Sequence, residues 1–304
     1  MRQLSIFAVC IVLCGGNDAR AENPRPYIQT QDQVFAEVHG TGLLMDIFEP
    51  TAPANGKAIV DIASGAWFSD RGKIRDHERA KVYDILCERG YHVFALRPGS
   101  RTKYTLKEMD QHVKMGIRYV KHLGPKYNID IDRMGITGAS AGGHLATLAA
   151  FTPEPAKPKS KDSFERLYDT YVAAVAVFFP PTDFLEWQPG DRVNRLFLGY
   201  LFTGNGSMDA DKISKMPIEE LASMAKQVSP VHRVDNPSVP LLTIHGDADP
   251  VVHLSQSEKL VDAVRAAGGV ADLIVKPGGG HPWPTIAEEV AITAEWFDKH
   301  LLAQ

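Results

Sequence analysis

The chain predicts a doubly wound α/β domain, and three observations carry that prediction. Compact apolar runs recur at Ala58 to Ile62, His92 to Leu96, Met134 to Thr137, Val172 to Phe179, Leu241 to Ile244 and Leu273 to Val275. Segments of helical period fill the intervals, with Val113, Ile117 and Val120 on one face and Ile286, Val290, Ala294, Phe297 and Leu301 on another. The composition, 44% hydrophobic and 23% charged over 304 residues, is that of an ordinary globular protein.

Apolar runs this continuous suit strands buried on both faces of a mostly parallel sheet, with right-handed crossovers placing helices on each side. Upstream, Val34 to Val38 and Leu43 to Phe48 flank His39-Gly40-Thr41-Gly42, the composition of an antiparallel hairpin at one edge. The residues before Val34 read as a polar lead-in. Two stretches interrupt the alternation. Residues 152–170, with three prolines and three lysines, read as a solvated surface loop. Residues 183–240 are long enough to hold helices of their own, forming an insertion over the substrate pocket ahead of the strand at Leu241.

Residues 1–21 are read as a secretory leader. A basic start, an apolar run from Leu4 to Leu13 and Ala19-Arg20-Ala21 make the cleavage pattern, leaving 22–304 as one domain, secreted or periplasmic. Cys10 and Cys14 would leave with the leader, and Cys87 sits in a helical apolar pattern with Val82 and Leu86, as a buried structural thiol does. The formal net charge is -4, and no block of like charge is long enough to bind nucleic acid or a membrane surface. A small ester or acylated polysaccharide is the expected partner, without stable membrane insertion of the mature chain.

The sharpest local signal is Gly138-Ala139-Ser140-Ala141-Gly142-Gly143, between the apolar strand ending at Thr137 and the helical run from His144. A serine on a sharp strand-to-helix turn is exposed for attack, and side chains at Gly138 or Gly142 would strike neighbouring backbone. Ser140 is therefore the candidate nucleophile. A serine hydroxyl attacks only with a base in reach and a third group to orient that base. Downstream, Asp247 and Asp249 follow the strand at Leu241 to Ile244, and His281 follows Gly278-Gly279-Gly280 after the last strand. Both groups lie past the carboxyl ends of strands, where open α/β sheets place ligand crevices. His144 reads as structural, His245 as packed in its turn, and Asp183 is a further candidate acid from an earlier strand, expected instead to cap a helix or line the pocket.

The order serine, aspartate, histidine, with this elbow and His245-Gly246-Asp247-Ala248-Asp249-Pro250-Val251-Val252, resembles the α/β-hydrolase superfamily over residues 43 to 302. Within it the chain is similar to the carbohydrate-esterase branch of feruloyl and acetyl-xylan esterases. That resemblance implies Asp249 as the acid, with Asp247 the runner-up, and His281 as general base and then general acid. It also implies an oxyanion hole from the Ala141 amide and a loop that reads His-Gly-Gly-Gly-Trp in relatives. Here the loop is Ala63-Ser64-Gly65-Ala66-Trp67, so Gly65 and Ala66 take the donor positions, and Ser64 either adds a hydroxyl donor or makes a turn. Trp67, Asp183 and Trp187 are the candidate substrate-binding residues.

No His-Glu-x-x-His, paired cysteines or Walker sequence is present, and acyl transfer to water calls for no cofactor or metal. The expected activity is serine carboxylic-ester hydrolysis through an acyl-enzyme, on acetyl or hydroxycinnamoyl esters of polysaccharides. The same triad would serve a peptidase or arylformamidase-type amide hydrolase, and a non-catalytic binding module on this fold is a third reading.

Overall fold

The buried hydrophobic residues divide into two layers, one on each side of a sheet. The computed structural model describes residues 24–187 and 215–303. The leader read at 1–21 and residues 188–214 of the expected insertion lie outside the described residues. The strands are β1 (Tyr27–Val38), β2 (Thr41–Pro50), β3 (Ala58–Ile62), β4 (His92–Arg97), β5 (Gly135–Ala139), β6 (Ala174–Phe178), β7 (Leu241–Gly246) and β8 (Ala271–Lys276). Among the described residues they form one sheet in the order β1-β2-β4-β3-β5-β6-β7-β8, parallel from β4 to β8 and antiparallel across the β1, β2 and β4 edge.

Alternation along each strand feeds the two layers. Val60, Ile62, Phe94, Leu96, Val175 and Val177 face helices α3 (Leu106–Tyr127), α4 (Ala141–Phe151), α6 (Ile218–Val228) and α7 (Ser255–Ala266). Ile59, Val93, Ala95, Ala174 and Ala176 face α1 (Arg71–Arg79), α2 (Val82–Glu88) and α8 (Ile286–Phe297). Cys87 belongs to this second layer and is fully buried.

Two expectations change. Most of the polar lead-in is part of β1, which begins at Tyr27 and, among the described residues, pairs only with β2. An edge strand with one wet face carries little apolar signal, and its polar Gln29 donates from Nε2 to buried Asp46 at 2.9 Å. Residues 152–170 are not simply a loop: α5 (Ser163–Leu167) forms there, capped by Asp162, which accepts from Phe164 N and Glu165 N. Glu154 pins the segment to α3 through Arg118 at 3.0 Å.

After β3 the chain turns toward β4, and after β4 it crosses back to add β5 on the other side of β3. Strand order reverses here, so the loops leaving adjacent β3 and β5 diverge and open a crevice. Ile62 and Gly138 are register partners at that opening.

Candidate active site

The turn that carries Ser140, the candidate nucleophile, forms where β5 ends and α4 begins at once. Ser140 has φ 53° and ψ -121°, a strained conformation for a residue with a Cβ, and the helix starts at Ala141 instead of His144. Both flanking glycines are required: a Cβ on Gly138 would lie 2.5 Å from Gly142 C, and one on Gly142 would lie 2.1 Å from Ile62 O. The Ser140 amide donates to Phe178 O at 2.9 Å, fixing the turn to β6.

His281 arrives on the loop after β8 and places Nε2 2.9 Å from Ser140 Oγ. Its Nδ1 is 2.6 Å from Asp249 Oδ2. A carboxylate only accepts, so Nδ1 carries the hydrogen and Nε2 presents a lone pair to the serine hydroxyl. Asp249 has no exposed side-chain surface, and its Oδ1 accepts from Val251 N at 2.8 Å and Val252 N at 2.9 Å. Burial opposes its charge. Hydrogen bonds from His245, His281 and the two valine amides outweigh that, and the carboxyl is held well below the usual range. Asp247 accepts from Gly278 N at 2.6 Å, tying the acid loop to the base loop without reaching the imidazole.

The amides of Ala141 and Ala66, two of the expected oxyanion donors, have no acceptor among the described hydrogen bonds. Ala141 opens α4, where no carbonyl lies one turn back. Ala66, at φ 48°, donates in none of the described hydrogen bonds. Gly65 departs from expectation, because its N–H donates to Phe68 O at 2.9 Å and is spent within the loop. Ser64 makes the turn, its hydroxyl donating to Phe68 O at 3.3 Å, while its own carbonyl takes the Gly142 amide at 3.0 Å.

The cleft above Ser140 holds about 820 Å³. One wall is apolar, built from Phe68, Phe179, Val251, Trp283 and Ile286; the other is α1, with Lys73, Asp76, His77 and Arg79. Lys73 Nζ lies 3.1 Å from Asp76 Oδ2. His77 is fixed below the cleft, its Nδ1 2.7 Å from buried Asp61, which also accepts from Tyr83 OH at 2.9 Å. Burial opposes charge on His77, but the Asp61 carboxylate outweighs it and raises the pKa above the ordinary imidazole value.

The three expected substrate-binding residues are not on this wall. Trp67 is 4% exposed and packs in the core against His144 and Phe184. Asp183 caps its own turn, accepting from Leu185 N and Glu186 N, and pairs with Lys259 at 3.0 Å. Trp187 packs half-buried against the same layer, its carbonyl taking Gln256 Nε2. Among the cleft-lining residues, the sequence reading did not name the α1 charges or Phe179 with Trp283. Phe179 was findable, since it follows β6 directly; the α1 wall was not, because its approach depends on buried contacts to Asp46 and Asp61.

The chain is similar to several known proteins. It is 28% identical over 261 residues to the probable carboxylic ester hydrolase LipM of Mycobacterium tuberculosis, covering 83% of this chain and 57% of LipM. It is 27% identical to the esterase LipQ of the same organism over 74% of this chain and 50% of that one, so it spans about half the length of the curated relatives it matches. Among solved structures, a truncated carbohydrate esterase from gut microbiota superposes with a TM-score of 0.77 at 26% identity, over 92% of this chain and 99% of that one. Esterase 2 of Thermogutta terrifontis, phosphonylated by sarin, shares the fold with a TM-score of 0.67 at 18% identity, over 90% and 96% of the two chains. The family model described as BD-FAE matches residues 45–264, and this chain, with its α/β-hydrolase fold, belongs to that family.

Proposed function

We propose that this protein hydrolyses carboxylic esters through an acyl-enzyme on Ser140. The observation that carries this is the continuous hydrogen-bonded series Ser140, His281, Asp249 at the floor of an open cleft. In the forward step His281 Nε2 takes the serine proton as Oγ attacks the ester carbonyl. The carbonyl oxygen becomes an oxyanion held by the Ala66 and Ala141 amides, and its collapse expels the alcohol, which takes the proton from His281. Water then repeats the sequence, releasing the acid and restoring Ser140. Asp249 keeps the imidazole in the working tautomer throughout and remains ionised.

The natural substrates in this reading are short acyl or hydroxycinnamoyl esters of polysaccharides. The likeness to a carbohydrate esterase supports it, as does a cleft pairing aromatic Phe68 and Trp283 with a polar helix wall. The leader read at residues 1–21 supports action outside the cytoplasm. Hydrolysis of a p-nitrophenyl acyl series from acetate to octanoate, beside the Ser140→Ala form, is the test. Turnover in the parent with loss of at least about a thousandfold in the variant is expected. A folded parent inert on every chain length overturns the reading.

A further inference from the structure

Ala66 and Trp67, the residues of the oxyanion loop, both hold positive φ, 48° and 58°. Residues with a Cβ keep that conformation only where their surroundings impose it. Part of the restraint is backbone: Gly65 and Phe68 exchange hydrogen bonds, and Arg101 N donates to Trp67 O at 2.9 Å. The rest comes from a side chain. Trp67 Nε1 donates to His144 Nδ1 at 3.0 Å, inside the core.

An indole N–H can only donate, so His144 Nδ1 is the bare nitrogen and Nε2 carries the proton. That proton goes to Val228 O at 2.7 Å. His144 is one turn past Ser140 on α4, and Val228 is the last residue of α6. One fully buried imidazole therefore joins the oxyanion loop, the nucleophile helix and the helix that closes the insertion. The bridge requires neutral histidine. Burial lowers the His144 pKa to about 4 against the opposing pull of the Val228 carbonyl, so the required form is the one present at neutral pH.

We propose that His144 is a positioning residue that acts through Trp67 to hold the Ala66 amide where the oxyanion forms, and that its bond to Val228 makes this placement depend on the seating of α6. The inference rests on the ester-hydrolysis reading above. It differs from a packing role, because the hydrogen bonds and not the ring volumes carry it.

Four variants separate the two. Trp67→Phe keeps an aromatic ring and deletes the donor; His144→Leu deletes both bonds; His144→Asn offers an oxygen where Nδ1 stood. Phe184→Leu loosens the packing around both rings, whose centroids lie 5.8 and 5.0 Å from that of Phe184, and breaks neither bond. Each is assayed for kcat and KM on p-nitrophenyl acetate, for melting temperature, and for inhibition by a trifluoromethyl ketone. Ser140 adds to that ketone and its oxygen occupies the oxyanion site.

Trp67→Phe and His144→Leu are expected to lower kcat about ten- to a hundredfold, below the effect of deleting an oxyanion donor outright. KM should stay within about twofold, and the ketone should weaken by the same factor as kcat. His144→Asn, which restores the acceptor for Trp67 but not the donor to Val228, should recover only part of kcat, full recovery removing α6 from the inference, and Phe184→Leu should lower the melting temperature alone. If His144→Leu does not fold, Trp67→Phe and His144→Asn still decide. Unchanged kcat and ketone inhibition in Trp67→Phe, or a kcat loss in Phe184→Leu matching its melting temperature, overturns the inference alone. A parent that neither turns over the ester nor binds the ketone overturns the esterase reading together with it.

Discussion

Asp249 Oδ2 sits 2.6 Å from His281 Nδ1, while Asp247, two residues earlier, spends its carboxylate on the Gly278 amide. The two aspartates share a loop and have separate tasks. Asp249→Asn removes the acceptor that fixes the imidazole tautomer, and kcat on p-nitrophenyl acetate should fall about ten-thousandfold with the fold intact by circular dichroism. Asp247→Asn keeps an oxygen for Gly278 and should stay within a few-fold of the parent. Reversed sensitivities would reassign the acid.

The acid and base loops touch at Gly246 and Gly279. A Cβ on Gly246 would lie 2.2 Å from Gly279 O, backbone that cannot rotate away. Gly246→Ala should cost more than about 2 kcal/mol in urea unfolding and lower kcat together, because it forces Asp249 and His281 apart. Gly278→Ala meets open space and carries only the strain of φ 67°, roughly 1 kcal/mol. Equal effects at the two sites would contradict this geometry.

Ala66 pays a conformational cost that glycine would not. Ala66→Gly keeps the amide and relieves the positive φ, so denaturant unfolding should show a gain of about 0.5–1 kcal/mol with kcat within twofold. A loss of stability would mean that the alanine methyl contributes packing that outweighs the strain.

Glu154 links the 152–170 segment to α3. Its burial favours the neutral acid, but Lys157, Arg118 and Gln111 hydrogen-bond the ionised form and bring the pKa down to about 2. A folded pKa below the unfolded value gives stability that is present above the unfolded value and lost as pH falls toward 2. Glu154→Gln should therefore cost about 1–2 kcal/mol at pH 7, and the gap to the parent should narrow between about pH 4 and 2. A pH-independent gap would show that charge is not what the residue contributes.

Cys87 tests the core. Burial pushes its thiol up to about 12, and its side chain is fully enclosed. Ellman's reagent should label it only after unfolding in guanidinium. Prompt labelling of the native protein would place it at the surface.

The strands were legible because a chain buried on both sides has no polar alternation to blur it: Ala58–Ile62 reads as a strand in the sequence and is one in the structure. β1 was shortened because an edge strand has one face in water. The elbow, the acid loop and the base loop were legible from their glycines, whose spacing reports local backbone demands. The pocket was not. Trp67 looked like a wall residue beside the oxyanion loop, but its indole turns inward to a histidine 77 positions away.

The sequence by itself determined the strand-helix alternation, the turn at Ser140 and the order along the chain of that serine, an aspartate pair and a histidine in a glycine-rich loop, since each is written in neighbours within a few residues. Only the tertiary structure decided which amide of the oxyanion loop stays unspent, which aspartate reaches the imidazole, and that α1 walls the cleft. Those outcomes depend on hydrogen bonds between segments far apart in the chain, and no local pattern encodes which donor a distant acceptor will claim.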